Sequence, residues 1–255
     1  MPLPKSIAGD ITDQLNAIKD ASQLNQMAVQ RLKSSIEKVK AVDIAQYYML
    51  YGMLYSLLGD IDKSVEAHEK SIWHAAHPVM LCNYGFSMKR FGFGQKSFEL
   101  MLKAFETESD DDTFEVTIAA AINGGIFDNI DDVVERFSKL YPGKNIRHNS
   151  SVQHIYGIRK KLAEAHVSEA DYKAAFKVAE SVLARHGFMV TLVDVNISSF
   201  DKVPYLSVEI SMPLSKSEEI VSIQDQIADS MVASDIQAWD RVIFTVAPTD
   251  DSQAA

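Results

Sequence analysis

Hydrophobic positions along this chain keep a helical period for most of its length and switch to a two-residue period only towards the end. Ile7, Ile11, Leu15 and Ile18, then Leu24, Met27, Leu32, Ile36 and Val39, follow three- and four-residue steps, which predicts one long helix or two shorter ones over residues 1–40. Tyr48, Tyr51, Gly52 and Tyr55 then share one helix face, and Val65, His68, Ser71 and Ile72 form the inner side of the next helix. After Pro142, GKNIRHNSS reads as a loop. It leads into a helix from about Val152 to Ala165 and another from Ser168 to His186, stopped by Gly187. Met189, Val193, Val195 and Ile197 alternate, as do Leu206, Val208, Ile210 and Met212, so both stretches read as strands with one buried face. Ser215-x-x-Glu218 is a capping box opening a helix with Ile220, Ile223, Ile227 and Met231 on one side. Val242, Phe244 and Val246 make a last short strand before the polar tail 249–255, which reads as disordered.

A repeat underlies the first half. Gly59, Gly92 and Gly125 follow one another at 33-residue steps, each in a short break between helical stretches, and Gly52 and Gly85 are also 33 apart. Aligned on these glycines, Tyr51 matches Tyr84 and Ser64 matches Ser97, while Pro142 closes a third unit. Each unit is a helix–turn–helix whose small Gly52 or Gly85 lets its two helices approach closely. No such hairpin buries its apolar face alone, so the units must stack.

On these residues the chain resembles the tetratricopeptide repeat family over residues 45–142. The first repeat offers Tyr48, Tyr51, Gly52, Tyr55, Gly59, Ser64, His68 and Ser71, and the second Leu81, Tyr84, Gly85, Met88, Gly92, Ser97, Met101 and Ala104. The third is degenerate, keeping Phe114, Gly125 and Pro142, and His68 and Met101 stand where the family usually has an aromatic. The resemblance implies a solenoid over 41–142 that binds a peptide along its first helices, lined here by Met49, Met53 and Ser56, then Cys82, Phe86 and Lys89. The carboxylate clamp of chaperone-binding members is absent, since Met49, Met53, Asp112 and Val116 occupy its places. A methionine and aromatic lining suits an apolar, adaptable peptide or helix instead.

The fold expected is α+β and mostly helical. Residues 1–40 cap the solenoid, 143–167 form a basic linker and helix, and 168–248 form a small α-β-β-α-β domain. That order is ferredoxin-like but lacks one strand, or belongs to a related small α+β sandwich. A missing strand would expose an edge for homodimerisation or for a partner strand, with Val242–Val246 nearest the gap.

Composition narrows the functions. The 255 residues carry 35 acids against 25 Lys and Arg, a net charge of −10, which disfavours a general nucleic-acid coat. From Tyr141 to Ala163 the balance reverses. Lys144, Arg147, Arg159, Lys160 and Lys161 stand there without an acid, a candidate contact for phosphate or an acidic partner. The single Cys82 forms no internal disulfide, so a cytoplasmic home is expected, and no run is apolar and long enough to cross a membrane.

His74-x-x-His77 with Cys82 falls short of a structural zinc set, and Glu106, Glu108 and Asp110–Asp112 lack calcium-loop spacing, so no metal is expected. No phosphate-binding glycine loop or catalytic signature occurs, FGFG and NGG reading as turn glycines, and no cofactor is implied. Asp194 and Glu209 lie in adjacent strands on the polar face, a surface position rather than a catalytic one. The reading is a non-catalytic interaction or adaptor protein. Its alternatives are an antitoxin, immunity or chaperone-type protein covering a basic partner, and an enzyme with its site in the C-terminal part.

Overall fold

The first seven helices among the described residues each start on a side-chain cap or just after a turn glycine, and that punctuation sets the architecture. The computed structural model describes residues 6–18, 24–190, 192–212, 217–234 and 236–248. Helices α1 (Ile7–Asn16) and α2 (Gln26–Glu37) begin at Ser6 and Asn25, whose side chains accept from Gly9 and Ala28 N–H. Helices α3 (Ile44–Leu57) and α4 (Ile61–His74) form a hairpin, as do α5 (Pro78–Arg90) and α6 (Gly94–Thr107). Helices α7 (Asp111–Gly124) and α8 (Ile130–Leu140) follow. At Gly59, Gly92 and Gly125 the backbone takes φ of 74°, 76° and 60°, and each time the next N–H reaches back past the helix end: Asp60 to Tyr55 O, Phe93 to Met88 O and Ile126 to Ala121 O. The 33-residue step is thus a repeated helix stop.

Within the first hairpin, Gly52 is required by contact. A Cβ there would lie 2.5 Å from the His68 ring, which is fully buried, stacks on Tyr84 at 4.9 Å and meets Ser87 Oγ through Nε2 at 2.8 Å. Gly85 faces Met101 in the same way, at 3.2 Å. His68 therefore fills one hairpin and ties it to the next.

The remaining elements are a 3₁₀ turn at Ile146–His148, α9 (Ser150–Glu164), α10 (Glu169–Arg185), β1 (Leu192–Phe200), β2 (Val203–Met212), α11 (Ser217–Ala233) and β3 (Val242–Pro248). The chain is mostly helical with one small mixed sheet. The capping box that the sequence predicts at Ser215 and the polar tail 249–255 lie outside the described residues.

Two expectations need correcting here. Residues 143–167 contain the expected helix, as α9, but are packed into the core rather than set apart as a linker. Val152, Ile155, Ile158 and Leu162 of α9 are at most 2% exposed and belong to one buried cluster running from Phe98 to Val246. That cluster crosses the expected boundaries at 142 and 167. Nor does the sheet hold a gap beside β2. Its order is β1-β2-β3, with β1 and β2 antiparallel and β3 placed directly beside β2 in parallel through the crossover α11. The parallel pairing carries the crossover straight to the neighbouring position, so the last strand takes the place the expected strand would have held. Val193, Val195, Leu206, Val208, Ile210, Phe244 and Val246 share the buried face. Asp194 and Glu209 are direct cross-strand partners on the other, solvent-facing side.

Candidate functional site

Of the six groove residues, three lie beneath other parts of the chain. Met49, Met53 and Ser56 are 3%, 7% and 5% exposed. They are covered because α1 lies across this face: Ile11 and Leu15, themselves 2% and 1% exposed, share one apolar cluster with Met49, Leu50 and Met53. Ser56 donates to Met53 O at 2.8 Å and so presents no free hydroxyl proton. Leu15 and Asn16 of α1 border a small cavity shared with Met53, Ser56, Phe86 and Arg90.

The second-repeat residues stay partly open. Phe86 is 47% exposed, a large apolar side chain next to the end of α1. Cys82 is half-buried, and burial, helped by the charge of Asp110, pushes its thiol up to about 11, so it is no thiolate at neutral pH. Lys89 is half-buried and lowered to about 8 by burial, an effect opposed by the charge of Glu180. Asn83 joins the two repeats by donating to Met49 Sδ at 3.4 Å.

The basic segment is brought together but is largely neutralised from within. Arg159 meets Asp131 at 2.9 Å and Glu169 at 3.0 Å and donates to Phe127 O. Lys144 pairs with Asp111, Lys160 with Glu164, and Lys161 donates to the Val195 carbonyl on the outer edge of β1. Arg147 alone of the five has no such partner among the described residues. Acids distant in sequence fold onto Arg159 and Lys144, so much of the local charge excess is met within the chain.

His74 stacks on Tyr48 at 5.7 Å and His77 caps α5 by accepting from Val79 N–H. No group of three or more metal-binding side chains occurs among the described residues. Asp110 and Thr113 form a capping box at the start of α7, which holds the Asp110 carboxyl below the usual range through the Thr113 backbone and hydroxyl bonds.

Sequence reasoning missed Glu180. It sits 5% exposed on the inward stripe of α10 with Tyr172, Phe176 and Leu183, and accepts from the Gly94 N–H at 3.0 Å. Phe93 gives α6 no side-chain cap, so Glu180 supplies one from 86 residues away. Burial pushes it up to about 7, opposed by the Gly94 bond and by Lys89. A Cβ on Gly94 would lie 2.5 Å from its carboxylate, and one on Gly92 would lie 2.4 Å from Ala184 Cβ. FGFG is therefore a seat for α10 as well as a turn. The lone acid in an otherwise apolar stripe was the available signal.

Beside this seat opens a cleft of about 1910 Å³ between the turns after α3 and α5 on one side and α10 on the other. Arg90, Lys96, Lys177 and Arg185 line it, with Phe91, Phe93 and Phe188. No protein-family model, curated protein or solved structure matches the chain. No helix among the described residues is long and apolar enough to cross a membrane.

Proposed function

We propose that this protein is a non-catalytic interaction or adaptor protein that binds an apolar helical segment of another protein on the inner face of tetratricopeptide-like repeats. In this reading α3–α4 and α5–α6 are two such repeats and α7–α8 a degenerate third. The observation that carries it is α1. The chain's own amphipathic helix lies on Met49 and Met53 with Ile11 and Leu15 buried, so this face accepts a helix of the proposed kind. Phe86 continues the same face past the end of α1 and is the exposed apolar centre left for a partner. The single cysteine suits a cytoplasmic setting, and the outer edge of β3 suits pairing with a second copy.

The test is co-purification from the native host, with captured partners identified by mass spectrometry and then titrated against variants. Phe86→Glu should lose the partner while keeping helical circular dichroism. Trp73→Glu, an equally drastic change at a side chain 81% exposed on α4, should keep it. A partner bound equally well by both variants would place binding elsewhere.

A further inference from the structure

The cleft beside α10 has the opposite electrostatic character from the molecule that carries it. On a chain of net charge −10, its charged lining is Arg90, Lys96, Lys177 and Arg185 against Glu99 and Glu180. The two acids are already engaged, Glu180 by the Gly94 N–H and Glu99 by Gln95 and Lys96. Arg90, Lys177 and Arg185 have no ion pair and no side-chain hydrogen bond among the described residues. Arg90 is moreover half-buried, and its burial disfavours the charge it carries. A cation partly withdrawn from water without an anion is costly, and an incoming carboxylate would relieve that cost at Arg90.

Size and spacing choose the class of ligand. At about 1910 Å³ the cleft exceeds the roughly 300–1,000 Å³ typical of small-molecule sites. Lys177 and Arg185 stand eight residues apart on α10, about 12 Å along its axis, with Arg90 on the opposite wall. One phosphate cannot meet charges so spread. An extended peptide advances about 3.3 Å per residue and faces both walls in turn, so along its length it can meet Lys177 and Arg185 on one wall, Arg90 on the other and the phenylalanines beside them. Nucleic acid fits less well, because the −10 chain repels a dense polyanion and Glu99 stands inside the lining.

We infer that this cleft binds an extended acidic peptide segment of a partner protein, with its carboxylates on Arg90, Lys177 and Arg185 and its apolar side chains over Phe91, Phe93 and Phe188. The cleft adjoins the inner face of the repeats, with Asn16, Ser56, Leu57 and Arg90 bordering both spaces, whereas Lys177 and Arg185 border only the cleft.

The experiment is fluorescence anisotropy on the full chain with three labelled probes: a ten-residue pool with Asp, Glu, Leu or Phe mixed at every position, the matching Lys or Arg pool, and oligouridylate. The acidic pool should bind best, and about tenfold or more should be lost between about 0.05 and 0.5 M salt. Lys177→Glu with Arg185→Glu should weaken it by about tenfold or more. Both side chains are exposed, so the fold should survive, as circular dichroism would verify. Lys38→Glu with Lys202→Glu, which carries the same net charge on exposed sites elsewhere, should stay within about twofold of wild type. Phe86→Ala, which empties the groove's apolar centre without placing a charge one turn from Arg90, should also leave this binding unchanged, which separates the cleft from the groove. No binding of the acidic pool, equal binding by the cleft variant, or preference for oligouridylate would overturn the inference.

Discussion

At the scale of single residues, equal backbone conformations have unequal consequences here. Gly59 and Gly92 take φ of 74° and 76°, but a Cβ on Gly59 meets nothing within 4 Å, whereas one on Gly92 meets Ala184 Cβ at 2.4 Å. Gly59→Ala should therefore cost about 1 kcal/mol for the left-handed conformation alone. Gly92→Ala should cost about 1–3 kcal/mol more, because α10 must move off its seat. Equal melting temperatures for the two variants would refute that seat. Two buried ionisable groups make stability depend on pH with opposite signs. His68 is pushed down to about 3 by burial, from an ordinary 6.5. Its unfolded form gains a proton below pH 6.5 while the folded form does not, so stability should fall as pH drops from about 6.5 towards 3, by about 1.4 kcal/mol per unit. His68→Met, which borrows the residue of the next repeat, should flatten that slope in denaturant titrations. Glu180 behaves in reverse. Raised from 4.5 to about 7, it holds a proton in the folded state that the unfolded chain releases, so its contribution worsens as pH rises from about 4.5 through 7. Glu180→Gln keeps an oxygen for the Gly94 N–H, and should stabilise the protein by about 2–3 kcal/mol at pH 8 with little gain near pH 4.

At the scale of elements, the sheet is one-sided. Its helices cover the face bearing Val208 and Phe244 and leave Asp194 opposite Glu209 on the other. Like charges directly across a ladder repel, so Glu209→Thr should raise stability by about 0.2–1 kcal/mol in thermal melts, more at low salt. A destabilised variant would argue that Glu209 has an unseen role. Strand β3 is not a neutral place to probe the edge. Phe244 is 5% exposed and meets Phe176 edge-on at 5.8 Å, so its replacement by proline would cost core packing whether or not a second copy pairs there. Light scattering of the unaltered chain is the cleaner measure of pairing.

At the scale of the molecule, buried ties join the hairpins to one another and to the rest of the chain, among them His68 with Ser87 between hairpins and Glu180 with Gly94 between α10 and α6. The chain carries two tryptophans, Trp73 on the first hairpin and Trp239 beside β3. Each should report the same denaturation midpoint in the variant lacking the other, because the ties make unfolding cooperative. Separate midpoints would mean that the two ends unfold independently.

Local physics made much of this legible in the sequence. Helical periods, turn glycines at 33-residue steps and the two alternating strands each depend on residues close in the chain, and all are found. The close helix approach at Gly52 was also readable, because His68 lies within the same hairpin. What only the tertiary structure decided involves distant partners. Periodicity shows that Ile11 and Leu15 form an apolar face, but not that they bury Met49 and Met53. Charge counting finds Arg159 and Lys144, but not the Asp131 and Asp111 that neutralise them. Strand order predicts a gap, which the crossover α11 closes by bringing β3 beside β2. Neither Glu180 nor the cleft it helps to shape exists until α10 settles on FGFG. The energies of such contacts depend on which surfaces meet in space, and a one-dimensional pattern carries only the faces that are available to meet.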